Sequence, residues 1–184
     1  SGLQYTYHNA KNAETFGVEL DVKKNLDFIG LRGLSFVCNA AYIYSRVRFE
    51  EGAPERDRPL AGQSPYLVNA GFFYQYDDKG ISASLLYNRI GKRIESVGVP
   101  MQNQDEDIPD IYEMPRNSLD LTFSKKIGKI VEIKAGIQDI LNSKVEYKQF
   151  VKLTDDKGGK SEREQLIRSY RPGVDINIGV SLRF

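Results

Sequence analysis

The 184-residue chain predicts an all-β fold, an antiparallel up-and-down meander of about eight strands. Three observations carry this expectation. Apolar and polar residues alternate with period two over long segments, as in GVDINIGVSLRF at 173–184, while helical periodicity is weak throughout. Tyr (11) and Phe (9), which suit a pleated surface, are plentiful. Short and long connections alternate along the chain, so a meander built this way has all its short turns at one end and all its long loops at the other.

The first strand is expected to be short, at 3–9, and turned by 10–13. The second, 14–25, sets Phe16, Val18, Leu20 and Val22 against Thr15, Gly17, Glu19, Asp21 and Lys23, and a turn through Gly30 and Gly33 follows. The third, 34–49, puts Leu34, Phe36, Cys38, Ala40, Tyr42 and Tyr44 on one face. A polar segment, EEGAPERDRPLAGQ, interrupts the pattern, and Gly62-Gln63-Ser64-Pro65 leads into strand four at 66–76. Pro65 stands at a strand start, where a missing amide donor is tolerated. Asp77-Asp78-Lys79-Gly80 is a tight hairpin signal ahead of strand five at 81–97. A longer acidic stretch, 98–116, separates it from strand six at 117–126, where Leu119, Leu121 and Phe123 alternate with Ser118, Asp120, Thr122 and Ser124. Strand seven begins at Val131, pauses over 139–143 and resumes at 145–153. Asp139 and Asn142 can bond their own backbone in that pause, as a turn or bulge. Strand eight runs over 164–184 with a bend at Pro172-Gly173.

A half-buried soluble sheet would also alternate. The second faces here carry Glu19, Asp21, Lys23, Asp120, Glu132, Lys134, Asp175 and Arg183, which suits either a solvated outer face or a wet lumen. Strand length and aromatic placement favour the lumen. A tilted membrane strand needs about 9–11 residues, against the usual five or six. Tyr42, Tyr44, Tyr74, Tyr76 and Tyr87 gather toward the ends of the apolar face, as interfacial girdles do. The expected architecture is therefore part of a transmembrane β-barrel. The net charge of +1 gives no basic face for nucleic acid, and none is expected as a partner. No run approaches the roughly 18 apolar residues of a transmembrane helix. The chain has no initiator Met and starts within strand pattern, so a fragment or processed chain is expected. The single Cys38 excludes an internal disulfide framework.

Several segments resemble the C-terminal barrel portion of TonB-dependent outer-membrane receptors of the Bacteroidetes type: FGVELDVKKNL (16–26), RPLAGQSPYLVNAGFFY (58–74), YNRIGKRIESVG (87–98), IYEMPRNSLDLTFSKKIG (111–128), VEIKAGIQDILN (131–142) and RSYRPGVDINIGVSLRF (168–184). The resemblance implies a 22-stranded barrel of which residues 1–184 form the C-terminal segment, without plug domain or signal peptide. It implies import of a scarce ligand such as an iron chelate, cobalamin or glycan across the outer membrane of a Gram-negative cell. Outer-membrane lipid would be one partner. The barrel-assembly machinery would read the C-terminal signal at Ile178, Val180, Leu182 and Phe184. The TonB complex would be met only through the absent plug.

No enzymatic activity and no cofactor is expected. His8 is the only histidine, so a zinc or copper site has no second ligand in reach, and no G-x-S-x-G occurs. Asp105, Glu106, Asp107 and Asp110 form an acidic cluster that is a weak candidate for Ca²⁺, since its spacing is not that of an EF-hand, and a solvated loop is the preferred reading. Arg56 and Arg58 are candidates for contact with an anionic ligand, although a plain solvated loop is again the preferred reading. Two other readings stay open: a self-contained eight-stranded outer-membrane barrel with a structural or adhesive role, and a soluble lipocalin-like ligand-binding domain.

Overall fold

A computed structural model describes residues 9–101, 107–154 and 160–182. The segment expected to form the first short strand lies almost wholly outside them. The described residues form eleven antiparallel strands: β1 (Asn12–Asn25), β2 (Leu34–Arg48), β3 (Tyr66–Tyr76), β4 (Ile81–Ile90), β5 (Arg93–Ser96), β6 (Ile111–Glu113), β7 (Arg116–Ile127), β8 (Val131–Gln138), β9 (Val145–Thr154), β10 (Lys160–Tyr170) and β11 (Asp175–Leu182). They form a seven-stranded sheet in the order β1-β2-β3-β4-β7-β8-β11 and a four-stranded sheet in the order β10-β9-β6-β5.

The second sheet arises because four long strands break in the same zone. β4 passes into β5 at Gly91-Lys92, β6 into β7 at Met114-Pro115, β8 into β9 over residues 139–144 and β10 into β11 over residues 171–174. Three of the four breaks fall on residues that cannot continue a ladder; the one at Gly91-Lys92 does not, and Gly91 N–H still donates to Tyr66 O. Pro115 and Pro172 have no amide proton, and Asp139 (φ 52°), Asn142 (φ 44°) and Gly173 (φ 96°) are left-handed. The four halves keep the same neighbour order on both sides, so the smaller sheet extends the larger one from its long-loop end. Backbone bonds at this seam tie the break residues to strands of the larger sheet, with Gly91 N–H donating to Tyr66 O at 3.1 Å and Ile140 N–H to Leu119 O at 2.8 Å. The most buried side chains gather near it: Val47, Ile94 (1% exposed), Val145 and Tyr147, with Ser64.

Three short turns close one end. Residues 26–33 join Asn25 to Leu34, residues 77–80 join Tyr76 to Ile81, and residues 128–130 join Ile127 to Val131. Two of these turns contain a 3-10 turn capped by a left-handed glycine, Gly30 and Gly80.

The expected barrel is not what these residues form. Both sheets are open: β1 pairs only with β2, and β11 only with β8. The physical reason is direction. Asn25 ends β1 at the short-turn end, and Leu182 reaches that same end opposite Val131, so the two edge strands run parallel. An antiparallel meander with parallel edges cannot join them in its own hydrogen-bond pattern. The reading of residues 1–184 as a Bacteroidetes-type barrel segment is corrected accordingly to an all-β, antiparallel chain of two open sheets. The short β6, inside the stretch expected to be loop, is a second difference. Its three residues are too few to show a period, and they are strand because β9 and β5 flank them.

Gly80 and Gly128 both have φ +60°, but a Cβ at Gly80 would lie 2.8 Å from Lys126 Cβ whereas one at Gly128 would meet open space. Gly128→Ala should therefore cost only the left-handed penalty, about 1–2 kcal/mol, and Gly80→Ala clearly more. Urea unfolding of the two variants side by side checks the order.

Candidate functional site: an apolar wall between two belts and a loop rim

Cross-strand register carries one face of each strand into line with the same face of the next. Phe36, Phe72, Leu85, Leu121, Ile137 and Ile176 lie in one row across six strands. Two positions further along each strand, Leu34, Tyr74, Ala83, Phe123, Ala135 and Ile178 make the next row toward the short turns. The result is one continuous apolar face. Among the described residues nothing packs over it at its two edges, where Phe16, Val18 and Ile178 are 65%, 73% and 76% exposed.

Aromatic and cationic residues bound this face at both ends. At the long-loop end, Phe16 stacks on Tyr44 with ring centroids 4.8 Å apart. There Tyr42 stands opposite Tyr66, and Arg89 opposite Asn117. At the short-turn end are Tyr74 and Tyr76, with Lys79 Nζ 5.5 Å from the Tyr76 ring centroid and Lys24 Nζ 5.4 Å from that of Phe28. Lys125 Nζ donates to Lys79 O in the same belt. On the 11-residue β3, Tyr66 and Tyr76 mark the two belts. That is roughly 33 Å along the strand at ~3.3 Å per residue, and about 25 Å in height at the tilt usual for membrane strands.

The opposite face is mixed: Val37, Phe73 and Leu86 stand on it, and its polar residues bond to one another. Ser82 and Ser124 hydroxyls are 2.7 Å apart, Ser84 and Thr122 2.6 Å, and Ser35 Oγ donates to Asn25 Oδ1 at 2.8 Å. Asn88 donates to Asn69 on the same face.

The long-loop rim holds most of the sequence-selected polar candidates, and it engages them in structure. Arg56 forms an ion pair with Asp107 at 2.5 Å, joining two long loops. Arg58 lies over the Phe49 ring at 5.3 Å, and its backbone bridges to Val47. Asp107 accepts from Met101 N–H and Asp110 from Gly98 N–H, both at 2.8 Å. Asp105 and Glu106 lie outside the described residues. Among the described residues no three His, Cys, Asp or Glu side chains come together as a metal set. Of the C-terminal signal, Ile178, Val180 and Leu182 are exposed on the apolar face of β11, and Phe184 lies outside the described residues.

Other groups at the rim carry no single-sequence signal. Lys92 Nζ sits 4.6 Å from the ring centroids of both Tyr112 and Phe150. Arg93 donates twice to Glu113 Oε2, at 2.9 and 2.7 Å. Lys148 pairs with Glu164 at 2.7 Å and Glu146 at 3.3 Å, and its pKa is raised chiefly by the Glu164 hydrogen bond. Lys92 and Phe150 are far apart in the chain, and only the β5-β6-β9 pairing brings them to one place. The pause at 139–143 behaves as its composition suggests. Asn142 N–H donates to Asp139 O at 2.8 Å, Asp139 N–H to Asp120 Oδ1 at 2.8 Å, and Arg116 reaches the Asp139 carboxylate. The arrangement is a surface of ion pairs and aromatic rings.

No protein-family profile matches the chain, and no solved structure matches it. Transferrin-binding protein A of Haemophilus influenzae is 25% identical to the chain over 152 residues, 75% of this chain and 16% of that protein. The chain thus spans about a sixth of the length of that curated relative. The similarity is distant and leads to Haemophilus, not to the Bacteroidetes type that the segment resemblance implied.

The Asp107 carboxyl is held below the ordinary carboxylate range, first by the Met101 N–H and then by the Arg56 guanidinium, against an opposing effect of partial desolvation. A lowered carboxyl pKa contributes stability that is complete above the ordinary range and lost as pH falls through the lowered value. The Arg56–Asp107 clasp should therefore hold at neutral pH and open only below about pH 4. Protection of the Met101 amide, followed by hydrogen exchange from pH 6 to 3, should fall in that window in the native chain and already be low at pH 6 in Asp107→Asn.

Proposed function

We propose that this chain is a section of the membrane-embedded wall of an outer-membrane receptor that takes up a scarce iron-bearing ligand. The observation that carries this reading is the continuous apolar face bounded by two aromatic and cationic belts about one membrane thickness apart. The distant similarity to transferrin-binding protein A supports a cell-envelope setting and a role in acquiring iron, from a carrier protein or from a chelate. On this reading the polar face lines a wet passage, and the long-loop rim meets the ligand with its ion pairs and with Lys92, Tyr112 and Phe150. The chain recognises and encloses, and does no bond chemistry. Energy for import comes through TonB by way of other parts of the receptor. Assembly is guided by the apolar end of β11, and lipid is the partner of the whole apolar face.

The soluble alternative needs a second layer over the apolar face. The described residues supply none, and the exposure of Phe16, Val18 and Ile178 weighs against it. A small closed barrel would need a further strand running opposite to both β1 and β11.

Replacing Leu121 or Ile178 by Arg should destabilise the chain folded in lipid by about 2–4 kcal/mol near the midplane. Ser181→Arg, on the polar face of β11, should change it little. Equal stability of all three variants in lipid vesicles would remove the face assignment. Deleting the gene should abolish growth on one complexed iron source while growth on soluble ferrous salt continues. Unchanged growth on every complexed source would remove the iron reading but leave the membrane one.

A further inference from the structure

Three arginines stand on the apolar register of the seven-stranded sheet at its long-loop end. Arg46 faces Asp57 at 3.2 Å and Arg48 faces Glu14 at 2.8 Å, so each has a carboxylate partner. Arg89 differs. Its Nε donates to the Tyr66 hydroxyl at 3.3 Å and one Nη to Asn117 Oδ1 at 2.7 Å, and the Tyr87 hydroxyl donates to that same Oδ1 at 2.8 Å. These partners orient the guanidinium and are all neutral.

The orientation is built in from behind. A Cβ at Gly91 would lie 2.8 Å from the Tyr66 ring, so only glycine lets that ring pack across the strand end. The buried Ser64 hydroxyl donates to Tyr66 O at 2.7 Å and fixes the start of β3. A guanidinium offers five N–H donors in a planar fork, and the two bonds here leave the rest available. A charge on a lipid-facing register is costly unless it is paired. The groups best matched to such a fork are phosphate oxygens, and aromatic belts sit at the level of lipid headgroups.

We propose that Arg89, held by Tyr66 and Asn117, binds the phosphate of a membrane lipid in the leaflet at the long-loop end. The proposal rests on the membrane reading above. It commits to a lipid phosphate because Arg89 lies on the apolar face, with Tyr87 and Leu85 continuing toward the acyl region.

The test uses the full chain in nanodiscs of phosphatidylcholine doped with phosphatidic acid, with lipid retention after detergent extraction read by native mass spectrometry. The native chain should retain phosphatidic acid over phosphatidylcholine. Arg89→Gln should reduce that preference at least fivefold, Arg89→Lys should keep part of it, and Arg48→Gln should leave it unchanged. Undiminished retention by folded Arg89→Gln overturns the proposal and leaves the membrane reading intact. If Arg89→Gln does not fold, Arg89→Lys decides, and retention identical to native overturns a site built on fork geometry. Failure of the native chain to enter any nanodisc overturns both.

Discussion

The antiparallel ladder across seven strands is the constraint on which everything else depends. Inside that sheet each strand meets its backbone needs through its neighbours, so side chains are free to sort by face. Sorting then becomes collective. Leu85 faces Leu121, Leu121 faces Ile137 and Ile137 faces Ile176, and a slip of one residue in any pair would turn a whole strand's apolar set to the wrong side. The Phe36–Phe72 contact, with centroids 5.3 Å apart, and the hydroxyl pairs on the other face lock the same register from both sides.

The ladder ends where its backbone cannot continue, and that limit separates two environments. Below the seam the strands present one continuous apolar face. Above it β5, β6, β9 and β10 hold Arg93–Glu113 and the Lys148–Glu164 pair, with Lys92 between two rings. The free edges differ in the same way. β10 is charged and has a register shift between Leu166 and Arg168, a device that discourages further pairing. β11 has neither a shift nor, beyond Asp175, a charge. On the proposed reading the larger sheet is the part inside the bilayer and the smaller one stands clear of it.

The sequence by itself determined the strands, their faces and the two unlike ends. These depend on period two and on turn residues, which are local. Residues 66–76 are the clearest case, strand from first to last as the alternation indicates. The break at 139–143 was also legible, since Asp and Asn tolerate left-handed backbone. The split into two sheets was not, although Pro115 and Pro172 stood in view, because a break in one strand becomes a seam only when its neighbours break alongside it. Whether the meander closes was likewise beyond the sequence. That depends on the relative direction and position of β1 and β11, two strands about 150 positions apart. The candidate rim was partly legible: acidic and basic residues in the long loops could be named, but not that Arg56 would be taken by Asp107. Least legible were Lys92 between Tyr112 and Phe150, and Arg89 among Tyr66, Tyr87 and Asn117. Tertiary pairing alone decided these, because a side chain's partners across a sheet are set by register and not by distance along the chain.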